Sequence, residues 1–513
     1  MKLNKSIGYG AFILAASTIL SYGLGLLRDR GLTGAFGAGY ELDIYNASFL
    51  LPDFIMSSFG AALTAAFVPV FTTLRQKEGD RKSWELTNSV FSLINMVLLV
   101  GIILAAIAAP IIAKIVAPGF DAEKQNILVQ TTRIMLISPF LFSFSTLFGN
   151  ALQSLRRFIS YALSPILYNA GIIIGIYFFV PRFGLFGAIY GVLIGAFLHL
   201  LVRLIEIIYT GWNLRFRNQY FFKPWQQPEI KKMIRLIIPR ALDLLIWQIN
   251  LWSYTAIASS IAYGSIAIFN LARNFQSMPV SFFGIAFATS MFPALAASFA
   301  EKNKPKFIED LTKTIRQVLF FTLPAAAGMA VLGKPLVSFF LQNGKFTDEA
   351  VASTGLVLAV FALSIPLESL QYLLTRGFYA QHNTKTPVLV TIIATIINIS
   401  VSYVASKFLG TTGLALGFIC YTSTQVILLS ILLQKKINFL GFISFTNILK
   451  IIISAAIMAL AVYFILPLFS SIKIAFVVSV IAGAGIYLLL ALFLKIPEIS
   501  SIYFIINKKI LKR

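Results

Sequence analysis

Cysteine is almost absent from this chain of 513 residues: Cys420 stands alone, inside an apolar run. One thiol forms no internal disulfide, and a buried free thiol is the plain reading. Histidine occurs twice, too rarely for a histidine-based metal centre. Charge is scarce as well. Asp, Glu, Lys and Arg make up 12% of the chain, against roughly 25% in soluble domains. Acidic residues are the rarer sign, 19 against 42 Lys and Arg. No Walker loop, nucleophile elbow or HExxH stretch occurs. These absences exclude a soluble enzyme of the common hydrolytic types and a nucleotide-driven pump. Any work the chain does must draw on an ion gradient, the membrane potential or the substrate gradient, and no cofactor is expected beyond a coupling ion such as Na+.

Apolar residues are abundant, 58% of the chain, and the mean hydropathy is +0.85. Apolar runs long enough for a bilayer recur from end to end, which predicts an all-α polytopic membrane protein. The spans expected are 7–27, 43–72, 89–115, 131–154, 158–180, 184–210, 235–262, 265–299, 315–341, 350–375, 386–408, 411–434, 448–469 and 474–495. The first run is too long for the apolar core of a signal peptide and no small-residue cleavage site follows it, so it reads as span one.

The net charge of +23 would suit a nucleic-acid binder, but its placement does not. Basic residues fill alternate connections: Arg75, Lys77, Arg81 and Lys82; Arg156 and Arg157; Arg215 to Arg235; Lys302, Lys304, Lys306 and Lys313; Arg376 and Lys385; Lys435 and Lys436. The tail ends in Lys508, Lys509, Lys512 and Arg513, whereas the intervening connections hold few cations, Arg28 and Arg30 in the first excepted. By the positive-inside rule both termini face the cytoplasm, and no nucleic acid is implied.

The chain also repeats itself. FGAALTAAFVP at 59–69 parallels FGIAFATSMFP at 283–293, APGF at 117–120 parallels NGKF at 343–346, Pro165 parallels Pro387, and GAIYG at 187–191 parallels GLALG at 413–417. The offset is near-constant, so the repeat is six spans plus six. The expected division is an N-lobe at 1–210, a cytoplasmic linker at 211–234, a C-lobe at 235–436, two further spans at 437–496 and a basic tail at 497–513. Two like-oriented halves imply a pseudo-two-fold axis along the membrane normal and a cavity between them. Trp212, Trp225, Phe221 and Phe222 in the linker are expected at headgroup level, and the tail reads either as a surface helix or as a frayed end.

Charges within or beside spans are the informative set, because ionisable groups there are costly and usually functional. Arg28 and Asp29 are expected to close span one, and Asp43 and Asp53 to open span two. Between them GLTGAFGAG at 31–39 reads as a tight turn. Arg203 with Glu206, and Arg240 with Asp243, stand at helical spacing; each pair either neutralises itself or faces the cavity. Arg133 and Arg203 lie near span ends and can snorkel. Arg28 and Arg273 have no opposite charge three or four residues away, and Glu368 follows Pro366 in span ten. Arg28, Arg240 and Arg273 sit on spans one, seven and eight, which would border the cavity. Arginine's fork suits phosphate, so an anionic, phosphorylated substrate is expected, with Asp43 as a further candidate. Asp243, Gln248 and Asn398 are an alternative cation site; interhelical hydrogen bonding is the plainer role of the two amides. Pro52, Pro139, Pro165, Pro279, Pro324 and Pro366 mark kinks or breaks.

Several stretches carry a family resemblance: GLLRDRGLTGAFGAGYELD at 25–43, LPDF at 51–54, AFVPVF at 66–71, APGF at 117–120, NGKFT at 343–347 and RGFYAQHNTKTPV at 376–388. Over about residues 5–435 the chain resembles the MurJ/MviN lipid II flippases of the multidrug/oligosaccharidyl-lipid/polysaccharide exporter superfamily. The resemblance implies about fourteen helices, two six-helix lobes and two C-terminal spans, in the bacterial cytoplasmic membrane. It implies a cationic cavity for a lipid-linked pyrophosphate glycan, with Arg28, Asp43 and Arg273 carried over. It implies a groove beside spans thirteen and fourteen for the polyprenyl tail, and alternating access driven by ions or the membrane potential. Membrane lipids and cell-wall synthesis proteins are the implied partners. The match departs from the family where further basic residues are usual: this chain has Tyr22, Leu50, Met56 and Ser57, and Ala61 lies near an expected glutamate. A flippase for another polyprenyl-linked oligosaccharide, an ion-coupled drug antiporter of the same fold and a non-transporting scaffold are the competing readings.

Overall fold

The structure is a computed structural model and describes residues 2–213 and 222–499; the side chains of 2–12, 14, 15, 59, 61, 62 and 235–245 lie outside the description. The linker residues 214–221 and the tail 500–513, on which sequence expectations fall, also lie outside it. Among the described residues all regular structure is helical.

The chain forms two compact units: residues 1–266 with 343–346, and residues 267–342 with 347–513. The first contains α1 (Lys2–Phe36), α2 (Tyr40–Ser48), α3 (Leu50–Val116), α4 (Ala122–Met135), α5 (Ile137–Ser154), α6 (Ile159–Ile174), α7 (Val180–Phe183), α8 (Leu185–Tyr209) and α9 (Pro228–Ser259). The second contains α10 (Ser265–Pro279), which begins at the division, α11 (Ala286–Ala300), α12 (Lys304–Leu341), α13 (Asp348–Ala362), α14 (Ser364–Ala380), α15 (Lys385–Leu409), α16 (Thr411–Ile437), α17 (Phe445–Ile465) and α18 (Ile472–Phe493). The duplicated segments of the sequence and the compact units are therefore different partitions. Span seven, assigned by sequence to the C-lobe, is α9, and it packs on α3 within the first unit.

Helix covers all fourteen expected spans. Among the described residues ten helical stretches are long and apolar enough to cross a membrane, or eleven with α13 and α14, which are bent by 42°. One of the ten, Tyr40–Val116, holds two expected spans. Gly79 breaks it at φ 83°, and Phe71 and Trp84 on either side approach to 5.6 Å between ring centres, so the two arms pack together.

Three spans are broken by one device. α3, α5 and α14 each follow a short break, at Phe49, Leu136 and Leu363, and each has a proline at its third position: Pro52, Pro139 and Pro366. A helix's first amides have no intrahelical partner, so proline costs little there, while it cannot continue the helix before it. Prolines inside helices free a carbonyl four residues back. Two of those carbonyls are satisfied by side chains from other helices: Arg133 Nε donates to Ala106 O at 3.0 Å, opposite Pro110, and Tyr487 Oη donates to Phe320 O at 2.7 Å, opposite Pro324. Arg133 is thus a stitch between spans.

Close helix crossings use small residues. A Cβ on Gly175 of the π-turn segment Gly175–Phe179 would lie 2.3 Å from Gly191 Cα of α8, so larger residues would force the helices apart. The duplication also shows in the backbone. Left-handed residues recur in register as Gly37 and Gly264, Gly79 and Lys302, Arg156 and His382, Gly184 and Gly410, and Gly211 and Asn438.

The first unit's core joins both arms of α3 to α5, α8 and the linker. Trp212, expected at headgroup level, is buried there: its ring centre lies 4.9 Å from that of Phe148 and Nε1 donates to Asn88 Oδ1 at 2.9 Å. Trp225 is exposed. In the second unit α17 and α18 pack on α12, and Arg316 Nε donates to Glu498 Oε1 at 3.0 Å. Cys420 is a free, partly buried thiol.

Candidate functional site: an arginine pocket, a glycine latch and an apolar groove

α1 does not end at Arg28 but continues to Phe36. Arg28 is therefore inside the helix, and its charge is compensated in two ways. Nε and Nη2 donate to Asp29 Oδ1 at 2.9 and 2.7 Å, and Nη1 donates to Asn169 Oδ1 of α6 at 3.2 Å. Neighbours one apart point to different sides of a helix; the long arginine side chain bridges that gap here. Around it is a cavity of about 370 Å³ lined by Ser17, Ser21, Tyr22, Tyr161 and Asn169 among others. Arg28 keeps 25% of its side chain exposed while Asp29 is nearly buried, so the guanidinium is the more accessible charge of the pair. Tyr22 lines the same cavity.

Arg273 of α10 is also compensated. Nη2 lies 3.5 Å from Glu368 Oε1 of α14, and the guanidinium carbon lies 4.1 Å from the ring centre of Phe418 in α16. Glu368 also accepts from Gln276 Nε2 at 2.8 Å, and Gln276 reaches Ser364 Oγ at 3.0 Å. Sequence spacing missed Glu368 as the partner because it is on another helix. It did register Glu368 as an intramembrane charge after Pro366, and that break sets the helix that carries it.

The remaining expected site residues are placed as follows. Arg240 and Asp243 lie in α9, but their side chains are outside the described residues. Asp43 is fully buried and its Oδ2 accepts from Gly264 N at 2.6 Å; in this structure it holds a turn. Gln248 Nε2 donates to Ser57 Oγ at 2.9 Å and to Asp53 Oδ2 at 3.3 Å, and Asn398 Oδ1 accepts from Ser402 Oγ at 3.2 Å. Gln248 thus bridges α9 and α3, whereas this bond of Asn398 lies within α15. Arg203 does not pair with Glu206. Its Nη1 and Nε donate to Ser145 O at 2.9 Å and Ser164 Oγ at 2.8 Å, and it stacks under Tyr161. Glu206 instead accepts from Ser160 N at 3.0 Å and lies 4.0 Å from Arg157.

The Asp43 turn belongs to a larger latch at the end of α1 away from the N-terminus. The tight turn expected over 31–39 is confined to Gly37–Gly39, since Gly31 and Gly34 are helical. Lys345 N of the NGKF segment donates to Gly34 O at 2.9 Å. In the parallel APGF segment, Gly119 N donates to Ser259 Oγ at 3.1 Å, at the end of α9. Each repeat's loop thus caps the first helix of the other repeat. Gly264, at φ +85°, approaches so closely that a Cβ would lie 2.0 Å from Ala38 O; only glycine fits. Lys124 closes the edge, bonding Tyr263 Oη at 2.9 Å and also bonding Asp121. The side-chain and backbone hydrogen bonds from Lys124 hold the Asp121 carboxyl below the usual carboxylate range.

In the second unit a cavity of about 410 Å³ runs between α12, α17 and α18. Its wall is almost wholly apolar, including Phe321, Pro324, Met329, Met458, Val480 and Leu488. Tyr487, also in the wall, turns its hydroxyl away to the Phe320 carbonyl. Gly328 opens directly onto the space, with Met458 Cε at 3.9 Å its nearest neighbour.

A duplicated bundle of broken membrane helices, with a compensated arginine lining one cavity and an apolar groove in the second unit, defines a polytopic membrane transporter. The comparisons give the family. The model of the family described as lipid II flippase MurJ matches residues 32–482. A probable lipid II flippase MurJ of Rhizobium tropici is 30% identical over 416 residues, 79% of this chain and 76% of the relative. The probable lipid II flippase MurJ of Vibrio cholerae is 26% identical, covering 81% of this chain and 80% of its own. A solved lipid II flippase MurJ in an inward closed conformation superposes with a TM-score of 0.80 at 24% identity, over 94% of this chain and 99% of that one. An inward-facing multidrug resistance transporter of the MATE family superposes at 0.69, over 83% of this chain and 96% of that one, with 15% identity; these two likenesses show the fold. The chain belongs to the lipid II flippase MurJ family. It is a multi-span membrane protein and a lipid flippase, not an enzyme, of a family that resides in the bacterial inner membrane.

Proposed function

We propose that this chain carries lipid II across the membrane by alternating access, with the polyprenyl tail in the groove of α12, α17 and α18 and the pyrophosphate on Arg28 and Arg273. The groove carries the proposal: an apolar cavity of about 410 Å³ walled by the two spans that lie outside the duplication suits a hydrocarbon chain and not a hydrophilic drug. The arginines suit the headgroup. Each is paired with a carboxylate and so is ordered in advance, and the charge-assisted bonds of a guanidinium to phosphate are the strong kind. Arg240 is a third candidate. Asp43 serves the transport cycle through the latch, which must open for Gly264 to release it. Both termini face the cytoplasm on the strength of the basic connections, and the membrane potential or Na+ supplies the drive.

Gly328→Leu tests the groove. The substitution adds a side chain to open space on one helix and improves helix propensity, so the fold survives while the groove fills. Lipid II flipping is expected to fall at least tenfold with normal membrane insertion. Wild-type flipping in this variant would remove the groove from the mechanism.

A further inference from the structure

The second unit has another cavity, sharing no lining residue with the groove or the Arg28 pocket. α11 ends at Ala300 and α12 begins at Lys304. Between this turn, the α14–α15 turn and the end of α16 lies a space of about 410 Å³. Its apolar part includes Phe299, Phe307 and Ile437, and its polar rim includes Lys302, Lys304 and His382. Among the described residues no ion pair involves Lys302 or Lys304. Nearby cations are engaged otherwise: Arg376 lies over the rings of Phe292 and Tyr379, and Lys436 over that of Phe378.

The backbone adds an independent observation. Lys302 and His382 line the cavity with φ of 56° and 55°, and Asn438, beside Ile437, has φ 55°. Left-handed backbone is free for glycine and costly for lysine. The first repeat has Gly79 at the position of Lys302, so the second repeat accepts a strained residue where a glycine would relax the turn. Strain of this kind persists where the side chain is used.

We propose that this cavity binds the phosphate of an anionic phospholipid, with Lys302 and Lys304 on the phosphate and the glycerol and first acyl carbons against Phe299 and Phe307. Basic pockets where spans meet the headgroup region attract anionic lipid headgroups, and ammonium–phosphate hydrogen bonds are charge-assisted. A free phosphate would use the lysines but not the apolar floor. The occupant is thus a lipid of the surrounding membrane, held as a structural or regulatory ligand, and the proposal stands whether or not the chain flips lipid II.

The test uses the purified full chain in detergent and a Lys302→Gly, Lys304→Gln variant. The first substitution removes a charge and also relaxes the backbone, so loss of fold is not the expected result. Native mass spectrometry reads retained lipid, and thermal melting reads stabilisation by phosphatidylglycerol, phosphatidylcholine and inorganic phosphate in separate arms. The wild type is expected to retain a phosphatidylglycerol and to melt higher with it, with no shift from phosphatidylcholine or phosphate, and the variant to lose both effects. Equal phosphatidylglycerol retention and stabilisation in the variant would overturn the site. A shift of the wild type by inorganic phosphate equal to that by phosphatidylglycerol would overturn the lipid as its occupant.

Discussion

Arg28 and Arg273 look uncompensated along the chain, and both have a carboxylate within reach in space. An arginine left alone at depth would be costly; one fully enclosed by carboxylates would offer nothing to a phosphate. An acidic partner for each is the arrangement between these limits. Arg28→Lys is expected to recover little transport, because an ammonium cannot bond Asp29 and a phosphate through one planar fork; recovery to wild-type flipping would show that charge alone suffices. Tyr487 makes a prediction of a different kind. Its hydroxyl satisfies the carbonyl freed by Pro324, so Tyr487→Phe should destabilise the protein by about 0.6–1.7 kcal/mol, read as a lower melting temperature in detergent. An unchanged melt would mean that the carbonyl is satisfied in another way. None of these partners could be read from the sequence. Asn169 and Glu368 lie far from their arginines along the chain, and Asp29 is adjacent, where helical spacing argues against contact.

At the scale of elements, periodic hydrophobicity and punctuation made most of the fold legible. All fourteen expected spans are helical, and Pro52, Pro139 and Pro366 announced the breaks before α3, α5 and α14. Other features were hidden because hydropathy records burial and not partner. α1 runs on past Arg28 because its charges are paired. Trp212 is buried because Asn88 offers its indole N–H an acceptor. The latch was half visible: APGF and NGKF stood out as parallel loops, but nothing in their spacing said that each would cap the other repeat's first helix. Gly264→Ala should strain a left-handed turn, by about 1–2 kcal/mol, and collide with Ala38 O. Asp43→Ala should remove the acceptor of the Gly264 amide. Since both act on one contact, the double variant should melt little below the worse single one. Additive losses would show that the two residues are not coupled.

At the scale of the molecule, the fold joins a duplicated transporter core to two appended spans that build an apolar groove on α12. The proposed topology puts the α11–α12 turn in the cytoplasm. Lys304→Cys in a Cys420→Ser background should therefore resist an impermeant thiol reagent in intact cells and react once the membrane is opened; labelling from outside would invert the topology. Under the proposed function this cationic, groove-bearing transporter moves lipid II by holding its pyrophosphate on Arg28 and Arg273. The most direct test is lipid II flipping measured with the Arg28→Ala, Arg273→Ala double variant, with membrane insertion and abundance matched to the wild type. Flipping is expected to be abolished; flipping at the wild-type rate would show that the two arginines do not hold the pyrophosphate.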